Sequence, residues 1–449
     1  MATITASAPP AHRKPLLSFA QIINMNVGFF GIQYSFGLQQ SAVNPIYDFL
    51  GAKPDEIPWL NLAGPLTGLI VQPIIGALSD KTWHPRFGRR KPYFFIGAIM
   101  CSIALFLFPF SSQLWMAAGL LWILDAGNNT AMEPYRAFIA DKLDASQQPT
   151  GFQAQSFFTG FGQTLANFSL FLFPLIIAGH TGKIPNWVFA SFILGSICSI
   201  GSVWWSARTT PEIPPTEAEL AHIRKEPLNV FTPFTEVFSA IKNMPRIMWG
   251  LALVYLFQWY ALFCYWQNSS KSIALSVYNT TPQNTSLYEK AVSLAGSVNG
   301  WYNIVTFLSA FALVGFAKKY GPKWVHFACL LLAGIGFIMF PFIKTPALLY
   351  VAISGFGVGW ASMMGIPYLM VVNHIPKERY GVYMGIINMM IVIPMFIQTI
   401  SFGAILKNIL DNDPGKAILF AGILLLVAAF ATTLINTKNA QQQGTTILQ

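Results

Sequence analysis

The residues best placed to do chemistry lie in one stretch, Trp122 to Leu143, WILDAGNNTAMEPYRAFIADKL. It sits inside an apolar region, yet it holds Asp125, Asn128, Asn129, Glu133 and Arg136. Ionisable groups are costly in hydrocarbon, so such residues face a bundle interior or a water-filled cavity. On a helix turning ~100° per residue, Asn129, Met132 and Arg136 stay within about 40° of Asp125. Asp125 and Arg136 are then roughly 16 Å apart along the axis. Glu133 lies about 80° round from Asp125, with Arg136 as its i+3 neighbour. One face therefore offers a carboxylate near mid-membrane and an acid/base pair further along. That set suits a proton site next to a polar solute site. The competing reading is a polar network that only locks helices together.

Composition decides what surrounds this stretch. The chain is 54% hydrophobic and 10% charged, with a mean hydropathy of +0.51. A soluble domain carries about 25% charged residues, so this reads as an integral, all-α membrane protein. The net charge of +10 is explained by loop lysines and arginines that set topology rather than by nucleic acid. Cys101, Cys198, Cys264 and Cys329 each fall within an expected span and far from one another. That spacing fits neither a zinc site nor a disulfide framework, so no metal is expected. The polar, Pro-rich start leads into a long apolar segment without a clear cleavage site, read as a retained first span.

A membrane span needs about 20 mostly apolar residues. Twelve segments qualify: 17–43, 57–79, 92–110, 113–140, 151–178, 186–206, 245–267, 292–317, 324–343, 346–373, 380–406 and 416–436. Of the 27 lysines and arginines, nineteen fall in loops on the side of the termini. Seven, Lys271 among them, fall on the other side, and Arg136 lies within a span. The positive-inside rule then puts both termini in the cytoplasm, here of a plasma (bacterial inner) membrane. The expected organisation is two pseudo-symmetric six-helix halves, 1–206 and 245–449, joined by a cytoplasmic linker, 207–244. Thr216 followed by Glu219 has capping-box spacing, and Phe234, Val237, Phe238 and Ile241 form an apolar stripe. The linker therefore reads either as short amphipathic surface helices or as a tether.

Internal repetition supports the division. GALSDKTWHPRFGRRKP from Gly76 and GFAKKYGPKWV from Gly315 both leave a span through a basic, glycine-containing turn. EPYRAFIAD at Glu133 has a counterpart in IPYLMVVNH at Ile366, which keeps Pro-Tyr and loses the charges. Paired repeats mark secondary transporters, with substrate held at the repeat interface. In the first loop, Asp80 stands at a span end, followed by Arg86, Gly88, Arg89 and Arg90. A carboxylate there can hold arginines in a cytoplasmic gate that releases in another conformation. Topology charges alone would explain the arginines but not Asp80 with its glycines.

GALSD with RFGRRKP resembles the loop signature of the major facilitator superfamily, in the form found in sucrose transporters. GIQYSFGLQQSAVNPIYDFLG from Gly31, LAGPLTGLIVQPIIGALSD from Leu62, LDAGNNTAMEPYRAFIAD from Leu124 and GIINMMIVIP from Gly385 resemble plant sucrose–proton symporters and their bacterial and animal relatives. The chain is identified as a bacterial-type member of this glycoside-transporter family. The resemblance covers nearly the whole chain and is strongest before residue 145. It implies that Asp125 accepts the proton and that Arg136 serves substrate binding or coupling. Glu133 stands where plant members have glycine, and Met395 where they have glutamine. Those departures leave maltose or another glucoside open beside sucrose.

Beside the resemblance, a neutral sugar needs donors, acceptors and flat apolar faces. The expected substrate contacts are Gln33, Gln40, Asn129, Gln153, Trp259, Asn299, Asn303 and Asn388, with Asp125, Glu133 and Arg136 as the coupling set. For each polar residue taken singly, helix-to-helix bonding competes with substrate contact. No P-loop, HExxH or CxxC pattern occurs, so no ATP site, metal site or cofactor is expected. Asp125 and Glu133 would be roughly 12 Å apart along a helix, beyond glycosidase spacing, so the chain does not read as an enzyme. The expected partners are a small sugar, a proton and the lipid bilayer, with a monomer as the working unit. A sodium-coupled or uncoupled sugar carrier is the alternative, and a sugar-sensing membrane receptor is the rival from another class.

Overall fold

The computed structural model describes residues 14–144, 146–217, 220–221, 235, 241, 244–371 and 380–435, without the side chains of 140, 149, 153, 311 and 380–385. Among these there are thirteen α-helices, α1 (Phe19–Phe49), α2 (Ile57–Leu60), α3 (Ala63–Lys81), α4 (Lys91–Leu107), α5 (Leu114–Lys142), α6 (Gln148–Leu172), α7 (Asn186–Thr209), α8 (Arg246–Tyr278), α9 (Thr285–Tyr320), α10 (Pro322–Met339), α11 (Pro346–Val371), α12 (Tyr380–Asn408) and α13 (Pro414–Thr433). A two-residue hairpin, β1 (His180–Thr181) and β2 (Ile184–Pro185), precedes α7. The expected linker helices lie largely outside the described residues.

Among the described residues, eight stretches are long and apolar enough to cross a membrane, and a ninth joins if the two parts of α9, bent by 51°, count as one span. The helices that fall short are α1, α5 and α6. These carry Gln33, Gln40, Asp125, Asn128, Asn129, Glu133 and Gln153. Gln33, Asp125, Asn128, Asn129, Gln163 and Asn167 of these helices are buried, while Trp115, Ile176 and Phe342 are among the large apolar side chains turned outward. This inside-out arrangement suits hydrocarbon surroundings.

Helices α1 to α7 pack chiefly on one another, and α8 to α13 do likewise. The main contact between these two groups is α6 on α9, with lesser contacts of α1 on α8 and α9 and of α2 and α3 on α12. Small residues let the helices approach. A Cβ on Gly127 of α5 would lie 2.8 Å from the Cys101 sulfur of α4, and one on Gly296 of α9 would lie 2.9 Å from the Asn167 carbonyl of α6. Both α4 and α10 end in a Phe-Pro-Phe 3₁₀ turn, at Phe108–Phe110 and Phe340–Phe342. The same terminator thus recurs at matching places in the two groups, where proline lacks the N–H to continue a helix.

Several expected span edges move. α1 extends to Phe49 rather than 43, and α8 to Tyr278 rather than 267. Asn44, Asp48 and Lys271 lie in those extensions and are all buried. Lys271 is therefore an interior helix residue, not a loop charge.

Candidate functional site

Asp125 lies on α5 and is 1% exposed. Its Oδ1 accepts a hydrogen bond of 2.7 Å from Nε2 of Gln39 on α1. Its Oδ2 is buried without a hydrogen-bond partner. A methyl placed on Gly64 of α3 would lie 3.8 Å from that oxygen. One turn on, Gly68 faces Val392 of α12, so Asp125 stands close to where the two helix groups meet. Burying a polar atom unpaired costs on the order of 1–3 kcal/mol. The arrangement thus keeps one carboxyl oxygen fixed and the other open to a proton or a polar ligand.

The surrounding bonds tie α5 to its neighbours. Asn129 donates 3.0 Å to the Thr67 hydroxyl and accepts 2.6 Å from Gln72, both on α3. It also donates 2.9 Å to the carbonyl of Asp125. Asn128 donates 3.4 Å to the other end of the Gln39 amide and accepts from the Cys101 thiol. Asp125, Asn128, Asn129, Gln39, Gln72 and Thr67 therefore form one polar network across α1, α3 and α5.

Other expected site residues lie apart from it. Glu133 is half-buried beside Gly76 of α3, and its Oε2 has no hydrogen-bond partner. Arg136 is exposed and makes no ion pair among the described residues. The expected Glu133–Arg136 pair is thus not formed among the described residues: Glu133 stays beside α3, whereas Arg136 is exposed. Gln33 is buried and accepts 3.0 Å from Gln163 of α6, a helix-to-helix bond. Asn303 donates to the Asn299 carbonyl of its own helix. Gln40 and Asn388 are half-buried, with no hydrogen bond recorded among the described residues. Gln153 falls outside the described side chains.

Trp259 of α8 is buried with its indole N–H unpartnered, and its ring meets Trp360 of α11 edge-on at 5.7 Å. Neighbouring Gln258 is fully buried with both amide atoms unpartnered. Asn299 belongs to a chain that crosses between the groups. Tyr265 donates 2.8 Å to Asn299, Asn299 donates 3.0 Å to Ser41, and Ser41 donates 2.6 Å to Asn167.

At the end of the bundle bearing the start of the chain, the arginine loop is a clamp. Asp80 pairs with Arg90 at 2.6 Å and with Arg89 at 3.4 Å, and Arg90 also reaches Asp141 at 2.7 Å. Burial opposes the charge of Arg90, but Asp141 and then Asp80 outweigh it and raise its pKa above the ordinary guanidinium value. Glu212, just beyond α7, accepts from the backbone N–H groups of Arg89, Arg90 and Lys91 at 2.7, 3.0 and 2.9 Å. Gly88 has φ +81°, and any Cβ there would strike the Glu212 carboxylate, so both reasons require glycine. Arg86 is exposed. All bonds of this clamp stay within the first helix group, among the described residues.

Asn128 stood out in sequence with Asp125 but was not among the expected substrate contacts, and Gln39 was absent from them too, because one amide among many polar span residues carries no spacing signal. Glu212 was also missed, lying over a hundred positions from the loop it caps.

Comparison with known proteins follows the same lines. Residues 25–399 match the Major Facilitator Superfamily. Sucrose transport protein SUC4 of Arabidopsis thaliana is 24% identical over 450 residues, covering 89% of this chain and 87% of that protein. Sucrose transport protein SUT5 of Oryza sativa subsp. indica is 22% identical over 443 residues, covering 84% and 80%. Among solved structures, the nucleoside transporter NupG superposes with a TM-score of 0.68 at 14% identity, over 93% of this chain and 98% of that one. The xylose transporter XylE from E. coli, in a partially occluded inward open conformation, gives 0.60 at 16% identity, over 92% and 98%. The polar network buried in an all-helical, lipid-facing bundle and these similarities lead to one conclusion: the chain belongs to the Major Facilitator Superfamily, as an integral, multi-pass membrane protein that is a secondary transporter and not an enzyme.

Proposed function

We propose that this transporter carries a disaccharide or glucoside of the sucrose or maltose kind together with a proton. It does so by alternating access between two pseudo-symmetric six-helix halves, 1–206 and 245–449, which together make twelve spans. The carrying observation is Asp125: a buried carboxylate with Oδ1 held by a neutral amide and Oδ2 unpartnered. A proton on Oδ2 would leave the Gln39 bond in place and free the site of charge. Asn129, anchored beside it, and the Trp259–Trp360 aromatic pair of α8 and α11 would supply the amide and ring surfaces that a sugar uses. Loop charge favours termini in the cytoplasm of a plasma membrane. The Asp80 clamp would act as a gate only indirectly, by fixing the spacing of α3 and α5.

Linkage makes proton and sugar binding reciprocal, each tightening the other by the same factor. The test is uptake by the reconstituted protein. A proton symporter accumulates labelled sucrose or maltose against its gradient when an inward pH gradient is imposed. Accumulation driven by a sodium gradient, mere equilibration, or no movement would instead indicate a sodium-coupled carrier, a uniporter or a receptor.

A further inference from the structure

The end of the bundle opposite the start of the chain is held shut by polar contacts between the two helix groups. The most deeply buried of these centres on Asp48, near the end of α1. Its carboxylate pairs with Lys271 of α8 at 3.5 Å and accepts a hydrogen bond from the Tyr288 hydroxyl of α9. Asp48, Lys271 and Tyr288 are 8%, 6% and 0% exposed. Phe49 packs edge-on against the Tyr288 ring at 5.5 Å.

The cluster ends a stripe. Ser41, Asn44 and Asp48 are spaced three and four residues apart, so they share one face of α1. Each reaches the second group: Ser41 through Asn299, Asn44 through the Trp266 carbonyl, Asp48 through Lys271 and Tyr288. Only the last contact involves opposite charges with almost no solvent. Nearer the rim, Glu289 joins His180 at 2.6 Å and Trp187 at 3.0 Å, and Asp55 joins Lys407 at 3.4 Å. Those rim pairs are more exposed and correspondingly weaker.

Neither charge can remain buried without the other, because a lone desolvated ion is costly. Separating α1 from α8 and α9 must therefore hydrate both ions at once. We infer that Asp48, Lys271 and Tyr288 form the charge-specific interlock of the transport cycle. It is broken each time the far end opens and remade each time it closes. This rests on the alternating-access part of the proposed function, but on neither the sugar nor the proton. Asp125 and Asp48 then have separate tasks on either side of α1, one toward α5 and one toward α8.

The test reads opening directly, without substrate or ion gradient. Ser293, 8% exposed on α9, bonds to the Phe171 carbonyl of α6 within the closed contact. Ser293→Cys is labelled with a maleimide in purified protein, with the parent chain as background for its four native cysteines. Asp48→Asn or Lys271→Met strands one charge and should speed labelling by about 100-fold, the order expected on unpairing a buried ion. The double variant Asp48→Asn/Lys271→Met removes both charges and should return labelling to within about threefold of the parent. Equal labelling in all variants overturns the inference, as does a double variant as open as the singles. If the single variants do not yield folded protein, Tyr288→Phe carries the test. It removes one hydroxyl, should speed labelling by about 5-fold to 10-fold, and unchanged labelling overturns the inference. Loss of sugar uptake with intact labelling differences would count against the proposed substrate alone.

Discussion

Gln39 on α1 donates a 2.7 Å hydrogen bond to Asp125 on α5. Its carbonyl end accepts from Asn128 on the same helix as the aspartate. One neutral side chain therefore reads both a titratable group and its amide neighbour.

Asp125→Asn keeps the shape and removes the proton. Uphill sugar uptake driven by a pH gradient should fall to background, while sugar exchange at equal pH persists. Reconstituted uptake and counterflow, measured in parallel, decide this. Full accumulation by the variant would remove Asp125 from the coupling step.

Gln39→Leu strips Oδ1 of its donor. Coupled uptake should drop by about 10-fold to 150-fold, given a net worth of about 1.5–3 kcal/mol for a hydrogen bond to a charged group. In the Asp125→Asn background the same substitution should cost much less. A double-mutant cycle on uptake rates measures that coupling, and strict additivity would show that the two residues act independently.

Arg136→Ala should leave stability within about 0.5 kcal/mol, because the side chain is exposed without an ion pair among the described residues. Any functional loss should then appear as weaker sugar binding, not as misfolding. Thermal unfolding together with sugar competition separates the two. A large fall in the unfolding temperature would mean that Arg136 has a structural partner.

Glu212→Ala removes the acceptor of three backbone N–H groups at the start of α4. A loss of about 1–2 kcal/mol is expected, by analogy with helix capping. Gly88→Ala should cost a similar amount, since it adds a strained φ and a clash with the same carboxylate. Because both act on one contact, their combined effect should be less than the sum. Unfolding midpoints of the single and double variants provide the check.

The fold was legible because apolar runs and loop charges are strong, local signals. LDAGNNT stood out for the same reason, since Asp125 and two asparagines in a membrane run have few bland explanations. The span ends at 43 and 267 were misplaced because Asn44, Asp48 and Lys271 read as the chain entering water. In the folded protein they are polar toward one another. Sequence shows that a residue is charged, but not that its counter-charge waits more than two hundred positions away. Glu133 and Arg136 fail in the opposite sense. Their i+3 spacing permits a pair, yet the side chains find other surroundings, Glu133 beside Gly76 and Arg136 in the open.

The polar helices α1, α5 and α6 also constrain how the chain is made. Released singly into lipid, each would carry groups that hydrocarbon rejects, an aspartate at mid-helix alone costing about 2.5–3.5 kcal/mol. α1 leaves the ribosome well before the aspartate that Gln39 grips and longer still before the lysine that Asp48 faces. It must therefore wait, sheltered by the insertion machinery or by chaperoning neighbours, until its later-born partners arrive. The order of synthesis and the order of assembly are thus different in this protein.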